Sequence, residues 1–164
     1  MSRLNLYFEH LQDRYPLFQR SKPGEASILS SMPPRLKMAI FCLTSRFAEG
    51  TATIGLPTSD EFAKRAELLQ SPKALDIEEI KASFLLCCHY IDESLNWRSI
   101  CELSKVRSMP SLLSTTYSNP KQSIHGGAIS PKHEDEWRNL WWSVFALETS
   151  CNAILYVLAR HCLD

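Results

Sequence analysis

The chain has 164 residues, 45% of them hydrophobic, and its eighteen basic side chains balance eighteen acidic ones. That length supports one domain, burying roughly 70% of the surface its unfolded chain exposes, rather than two. Zero net charge excludes a global field toward nucleic acid or an anionic membrane, so any affinity for DNA has to come from elsewhere.

The start, Met1 to Tyr15, carries acidic and polar residues where a secretory signal needs an apolar core, and it reads as the start of an intracellular chain. Arg3 to Phe18 sets Leu4, Tyr7, Phe8, Leu11, Tyr15 and Phe18 on one helical face, closed by Pro16 and then by Pro23-Gly24. Residues 19 to 33 are rich in serine, with prolines and a glycine, and read as a loop. Pro33-Pro34 opens a second helix whose stripe is Leu36, Ala39, Ile40, Leu43 and Phe47, with Gly50 at the place of a left-handed cap. Thr58 with Glu61 is a capping-box signal for a helix to about Gln70 that turns Phe62, Ala66 and Leu69 inward. Asp76 with Glu79 repeats that signal before a stripe of Ile77, Ile80, Phe84, Cys87, Cys88 and Ile91. A short fifth helix over Trp97 to Val106 would pack Trp97, Ile100 and Cys101 inward. After it, Met109-Pro110 leads into a loop of about two dozen residues, long for a compact domain.

The last stretch, His133 to Cys162, organises the rest. Trp137, Leu140, Trp141, Val144, Leu147, Cys151, Ile154, Leu155 and Leu158 recur by threes and fours, a spacing only a helix brings to one face. Ser130-Pro131 opens it, and Glu134, Asp135 and Glu136 suit the positive end of its dipole. Trp142 and Phe145 flank the stripe, which predicts a central helix covered on two sides. Asn139 to Ala159 is long enough to span a bilayer. Glu148 near its centre would cost about 2.5 to 3.5 kcal/mol, and the membrane reading is set aside.

Within this helix, Glu136-Trp137-Arg138-Asn139-Leu140-Trp141-Trp142-Ser143-Val144-Phe145-Ala146-Leu147-Glu148 resembles the signature of the fungal-specific transcription factor domain, the middle homology region of binuclear zinc-cluster regulators. That family shows an Arg-Arg-Leu-Trp-Trp-Ser-Leu-Phe-Ile-Leu-Asp-Arg segment, matched here at Arg138, Leu140, Trp141, Trp142, Ser143, Phe145 and Leu147. Glu148-Thr149 stands where the family usually has Asp-Arg. The Leu6-Tyr7-Phe8 and Tyr15-Pro16-Leu17-Phe18 phrases, Ser45-Arg46-Phe47, and the helix before Asn96-Trp97 are similar to earlier elements of that family. The resemblance implies a nuclear regulator of transcription, often of a metabolic or secondary-metabolite pathway, acting by helix packing and not by catalysis.

Candidate chemistry is sparse. The family's zinc cluster needs closely spaced cysteines, and Cys42, Cys87, Cys88, Cys101, Cys151 and Cys162 have no such spacing. They read as buried, reduced thiols, Cys87-Cys88-His89 among them because consecutive helical side chains point about 100° apart. His125-Gly126-Gly127 is similar to an esterase oxyanion loop but lacks the Gly-x-Ser-x-Gly partner, and a plain loop is the better reading. Arg98, Lys105, Arg107, Lys121 and Lys132 give residues 98 to 132 a positive excess without interleaved aromatics to stack bases.

The expectation is therefore an all-α, irregular bundle of about six helices with a long central C-terminal helix, residues 1–164 forming a single, partial regulatory domain. No catalytic, cofactor or metal residue is expected, and zinc only if an upstream cysteine cluster exists. Trp141 and Leu140 are expected in the core. Ile154, Leu155, Tyr156 and Leu158 are expected as a bare apolar surface for self-association or a protein partner, with DNA contacted only indirectly. The alternative is a free helical interaction module or a truncated regulator without DNA binding of its own.

Overall fold

The computed structural model describes residues 3–18, 31–47, 57–70, 77–93, 98–99, 101–106 and 131–161, with the side chains of the last segment described from 135 to 153. Every described element is helical: α1 (Arg3–His10), α2 (Pro34–Thr44) continued by a 3-10 turn (Ser45–Phe47), α3 (Ser59–Leu68), α4 (Ile77–Glu93) and α5 (Pro131–His161). Residues 98–99 and 101–106 are also helical. No strand occurs among the described residues, as the periodicities require.

Local chemistry sets the helix ends. α1 stops at His10, short of the predicted Phe18, because the Tyr7 carbonyl accepts from both Leu11 and Gln12 N–H and the chain turns before Pro16. The Tyr7 hydroxyl donates to the Tyr15 carbonyl, so Leu4, Tyr7, Leu11 and Tyr15 are buried together even though a turn interrupts the helix. Pro34 begins α2, where a missing N–H costs nothing. At its other end the Arg3 guanidinium donates to the Phe41 carbonyl at 3.2 Å and Ser45 Oγ at 2.6 Å, which supplies a cation to the negative end of the helix. α3 carries the predicted capping box in both directions, Thr58 Oγ1 accepting from the Glu61 N–H and the Glu61 carboxylate accepting from the Thr58 N–H. The second box, with Asp76, falls outside the described residues. The Glu79 carboxylate takes the buried Arg35 guanidinium at 2.6 Å.

The core lies among α1, α2, α3 and α4, with α2 packed most closely against α3 and α4. From Ile80 to Tyr90 every side chain of α4 is buried, so α4 occupies the centre of the bundle. The long C-terminal helix is present at 31 residues, but its described part is buried along one line only. Three inward assignments fail: Phe47, stacked on His10 at 4.7 Å, and Leu69 are exposed, and so is Cys101, whose short helix instead buries Ser99, Glu102 and Val106. Trp97, Ile100, Gly50, the loop 107–130 and His125-Gly126-Gly127 lie outside the described residues.

Candidate functional site

α5 meets the bundle on α4. Leu140, Val144 and Cys151 are buried, and Trp137 and Leu147 are partly buried against the core, a spacing of threes and fours that defines the inner line. Its register is pinned by Lys81 of α4, which is fully buried and places its Nζ 2.8 Å from the Glu136 carboxylate, 3.0 Å from Glu78, and over the Phe18 ring. A buried ammonium without such partners would cost several kcal/mol, so the pair specifies where the helix sits. Two members of the acidic triplet also pair with side chains. The helix begins at Pro131, one turn before it, Glu136 serves Lys81, and Asp135 pairs with Arg138 at 3.0 Å.

The opposite side of α5 is exposed over its described residues. Trp141, Trp142 and Phe145 keep 46%, 56% and 50% of their surface exposed, against the expectation that Trp141 is core. They cover one another instead. Trp141 and Phe145 stack in parallel at 5.7 Å, and Trp142 stands edge-on to both, at 4.9 and 6.0 Å. An aromatic side chain presents about 150 to 250 Å², so three half-exposed rings leave on the order of 300 Å² of contiguous apolar surface, the size at which patches are often functional. Of the signature residues, Leu140 is buried, Trp137 and Leu147 are partly buried, Ser143 is buried with its hydroxyl donating to the Asn139 carbonyl, Arg138 pairs with Asp135, and the other aromatics form the outer patch. The side chains of Ile154, Leu155, Tyr156 and Leu158 lie outside the described residues.

The remaining polar groups offer little chemistry. Burial pushes the Cys42 and Cys87 thiols up to about 12, and Cys88 well above its ordinary value, which keeps them protonated and unreactive. Desolvation holds His89 below the ordinary histidine value, opposed by Glu93 and Asp60, which leaves a neutral imidazole near pH 7. A cleft of about 230 Å³ lies between Glu67, Tyr90, Arg98, Glu102 and Lys105. Its groups pair with each other, Tyr90 with Glu67 at 2.6 Å and Lys105 with Glu102 at 2.6 Å, so part of the basic excess seen in the sequence is used internally. Among the described residues the fold also gathers Asp60, His89 and Glu93 from two helices, a convergence that no linear spacing could reveal.

The described residues thus form a helical bundle with an aromatic face on its longest helix. The chain belongs to the fungal specific transcription factor domain family, whose model matches residues 4–157. No curated protein and no solved structure matches it. The family is one of transcription regulators, not enzymes, and its members are expected in the nucleus; no helix among the described residues is long and apolar enough to cross a membrane.

Proposed function

We propose that residues 1–164 act as a single regulatory domain of a pathway-specific fungal transcription regulator, working through protein contacts made by the outer face of α5. The observation that carries this is the exposed triad Trp141, Trp142 and Phe145 on the helix that also bears the family's signature. Three large aromatics held in a fixed mutual stack match what protein interfaces use as anchors, since they bring area at little entropy cost. The partner is another protein surface, a second copy of the chain being the first to test because it needs nothing else. Sequence-specific DNA binding would need a zinc cluster joined to this domain, because this chain is neutral overall and its cysteines lack the spacing for one.

The test is a reporter assay in which the whole chain is fused to an unrelated DNA-binding module. Wild type should alter output. A Trp142→Glu, Phe145→Glu variant, confirmed helical by circular dichroism, should not, and a folded variant with unchanged output overturns the proposal. A mobility-shift titration of the chain alone should give no sequence-specific complex tighter than about micromolar, well short of the usual range for specific DNA binding.

A further inference from the structure

Asp60 stands in the first turn of α3, while His89 and Glu93 occupy the last turn of α4 one helical turn apart, so side chains from two elements converge on one point. His89 is the unusual member. Its side chain is only 2% exposed, yet its Nε2 has no hydrogen-bond partner and is directed between Asp60 Oδ1 at 3.7 Å and Glu93 Oε1 at 3.5 Å. Both separations are longer than an ordinary hydrogen bond.

The other ring nitrogen decides what Nε2 carries. Ser59 Oγ lies 2.8 Å from the Cys42 carbonyl and 3.3 Å from His89 Nδ1. With its single proton on the carbonyl, Ser59 Oγ is free to accept from His89 Nδ1, which suits the tautomer with its proton on Nδ1. In that tautomer the neutral ring presents a bare lone pair at Nε2, the atom that has no hydrogen-bond partner. Three acceptors face one another without a proton between them, an arrangement that a cation resolves. The nearby Arg46 guanidinium does not serve, because it is drawn away to Asp92 at 2.7 Å. The Cys42 thiol, 3.5 Å from Ser59 Oγ, is held in its protonated form.

We propose that Asp60, His89 and Glu93 bind a divalent first-row transition cation, zinc being the fitting choice. Ligand atoms at about 2.0 to 2.2 Å around a tetrahedral metal lie roughly 3.3 to 3.5 Å apart. The two separations from Nε2 are already close to that, and all three ligand atoms fall within 4.8 Å of one another. Ser59 holds the ring by Nδ1, the outer-shell device that metal-binding histidines use to fix their tautomer. The negative end of α4 favours a cation there. Imidazole selects a transition metal over magnesium or calcium, and the exposed carboxylates, Asp60 at 63% and Glu93 at 48%, leave room for water to complete the coordination. The ion clips the start of α3 to the end of α4, on a different part of the molecule from the α5 face.

Isothermal titration of zinc chloride into tag-free, chelator-stripped full chain tests this, with melting curves in parallel. The expected result is a saturable site of about one zinc per chain and a raised melting temperature, neither reproduced by magnesium chloride. Asp60→Asn and Glu93→Gln should each weaken binding at least tenfold with helicity unchanged, whereas Cys101→Ser and His10→Ala should leave it intact. Nitrogen-15 spectra of the wild type should show the His89 Nε2 resonance moving on zinc addition. Absence of a saturable site, wild-type affinity in the double variant Asp60→Asn, Glu93→Gln, loss of binding in Cys101→Ser or His10→Ala, or an unmoved His89 resonance would each overturn it.

Discussion

α4 and α5 are both long and apolar, yet the protein uses them in opposite ways. α4, with one phenylalanine, one tyrosine and a set of aliphatic and cysteine side chains, is enclosed on all sides from Ile80 to Tyr90. α5 holds three of the four tryptophans and leaves two of them, with Phe145, half in solvent. Size and hydrophobicity do not decide which helix is central; the number of neighbours does. A helix buried all round needs elements on every side, and α4 is packed beside α2 and carries α5. Among the described residues α5 packs on α4 along one line, through Leu140, Val144 and the Lys81–Glu136 pair.

Thiol chemistry should separate enclosed from exposed positions most sharply. Cys42 and Cys87 are raised from 9.0 to about 12, a difference of about three units, so near pH 8 their thiolate populations fall about a thousandfold. Iodoacetamide followed by peptide mass spectrometry should label the exposed Cys101 while Cys42 and Cys87 stay unmodified, and rapid native labelling of Cys42 would contradict their enclosure. The sign for stability follows. Folding raises these thiols, and desolvation likewise raises Tyr7, Tyr15 and Tyr90, so their contribution is intact below pH 9 and is lost as pH climbs toward 12 and beyond. Melting temperatures across that range should decline.

Truncation in the centre comes next in size. Phe84→Ala, at a fully buried position edge-on to Tyr15, should cost about 3 to 5 kcal/mol in urea unfolding. Glu136→Ala acts at the junction between the two helices. It strips one carboxylate from buried Lys81 while Glu78 remains at 3.0 Å, so the loss should be somewhat below the 3 to 5 kcal/mol typical of a broken buried pair, about 2 to 3. Replacing both partners, Lys81→Met with Glu136→Leu, should recover most of it; a double variant no better than the single one would show that the charges themselves are needed. The smallest effect is expected from the largest side chain. Trp142→Ala should stay within about 0.5 kcal/mol of wild type, as surface substitutions do, and a loss near that of Phe84→Ala would place Trp142 in the core after all.

Much of the fold could be read from residue spacing. The helices at 34–44, 59–68, 77–93 and 131–161 lie where apolar periods and caps place them, and Thr58 with Glu61 forms the box its letters announce. The family segment on α5 was equally legible, because a dense run of tryptophan, arginine, serine and phenylalanine has few other meanings. The facing of α5 was not. Leu140 and Trp141 are neighbours about 100° apart on one broad stripe, and a stripe that wide admits more than one inward line. Lys81 and Glu136 were unreadable as a pair for a related reason, since each looks like an ordinary exposed charge until two distant helices meet.

The sequence by itself determined the helical class, the element boundaries to within a turn at most ends, and the family, because these depend on interactions between residues three or four apart. Tertiary structure alone decided that α4 is the centre, that Trp141 looks outward, and that Asp60 joins His89 and Glu93. Those outcomes depend on which surfaces are brought together across the chain, where burial, a buried charge and an unpartnered imidazole nitrogen take their meaning from a neighbour that no local pattern encodes.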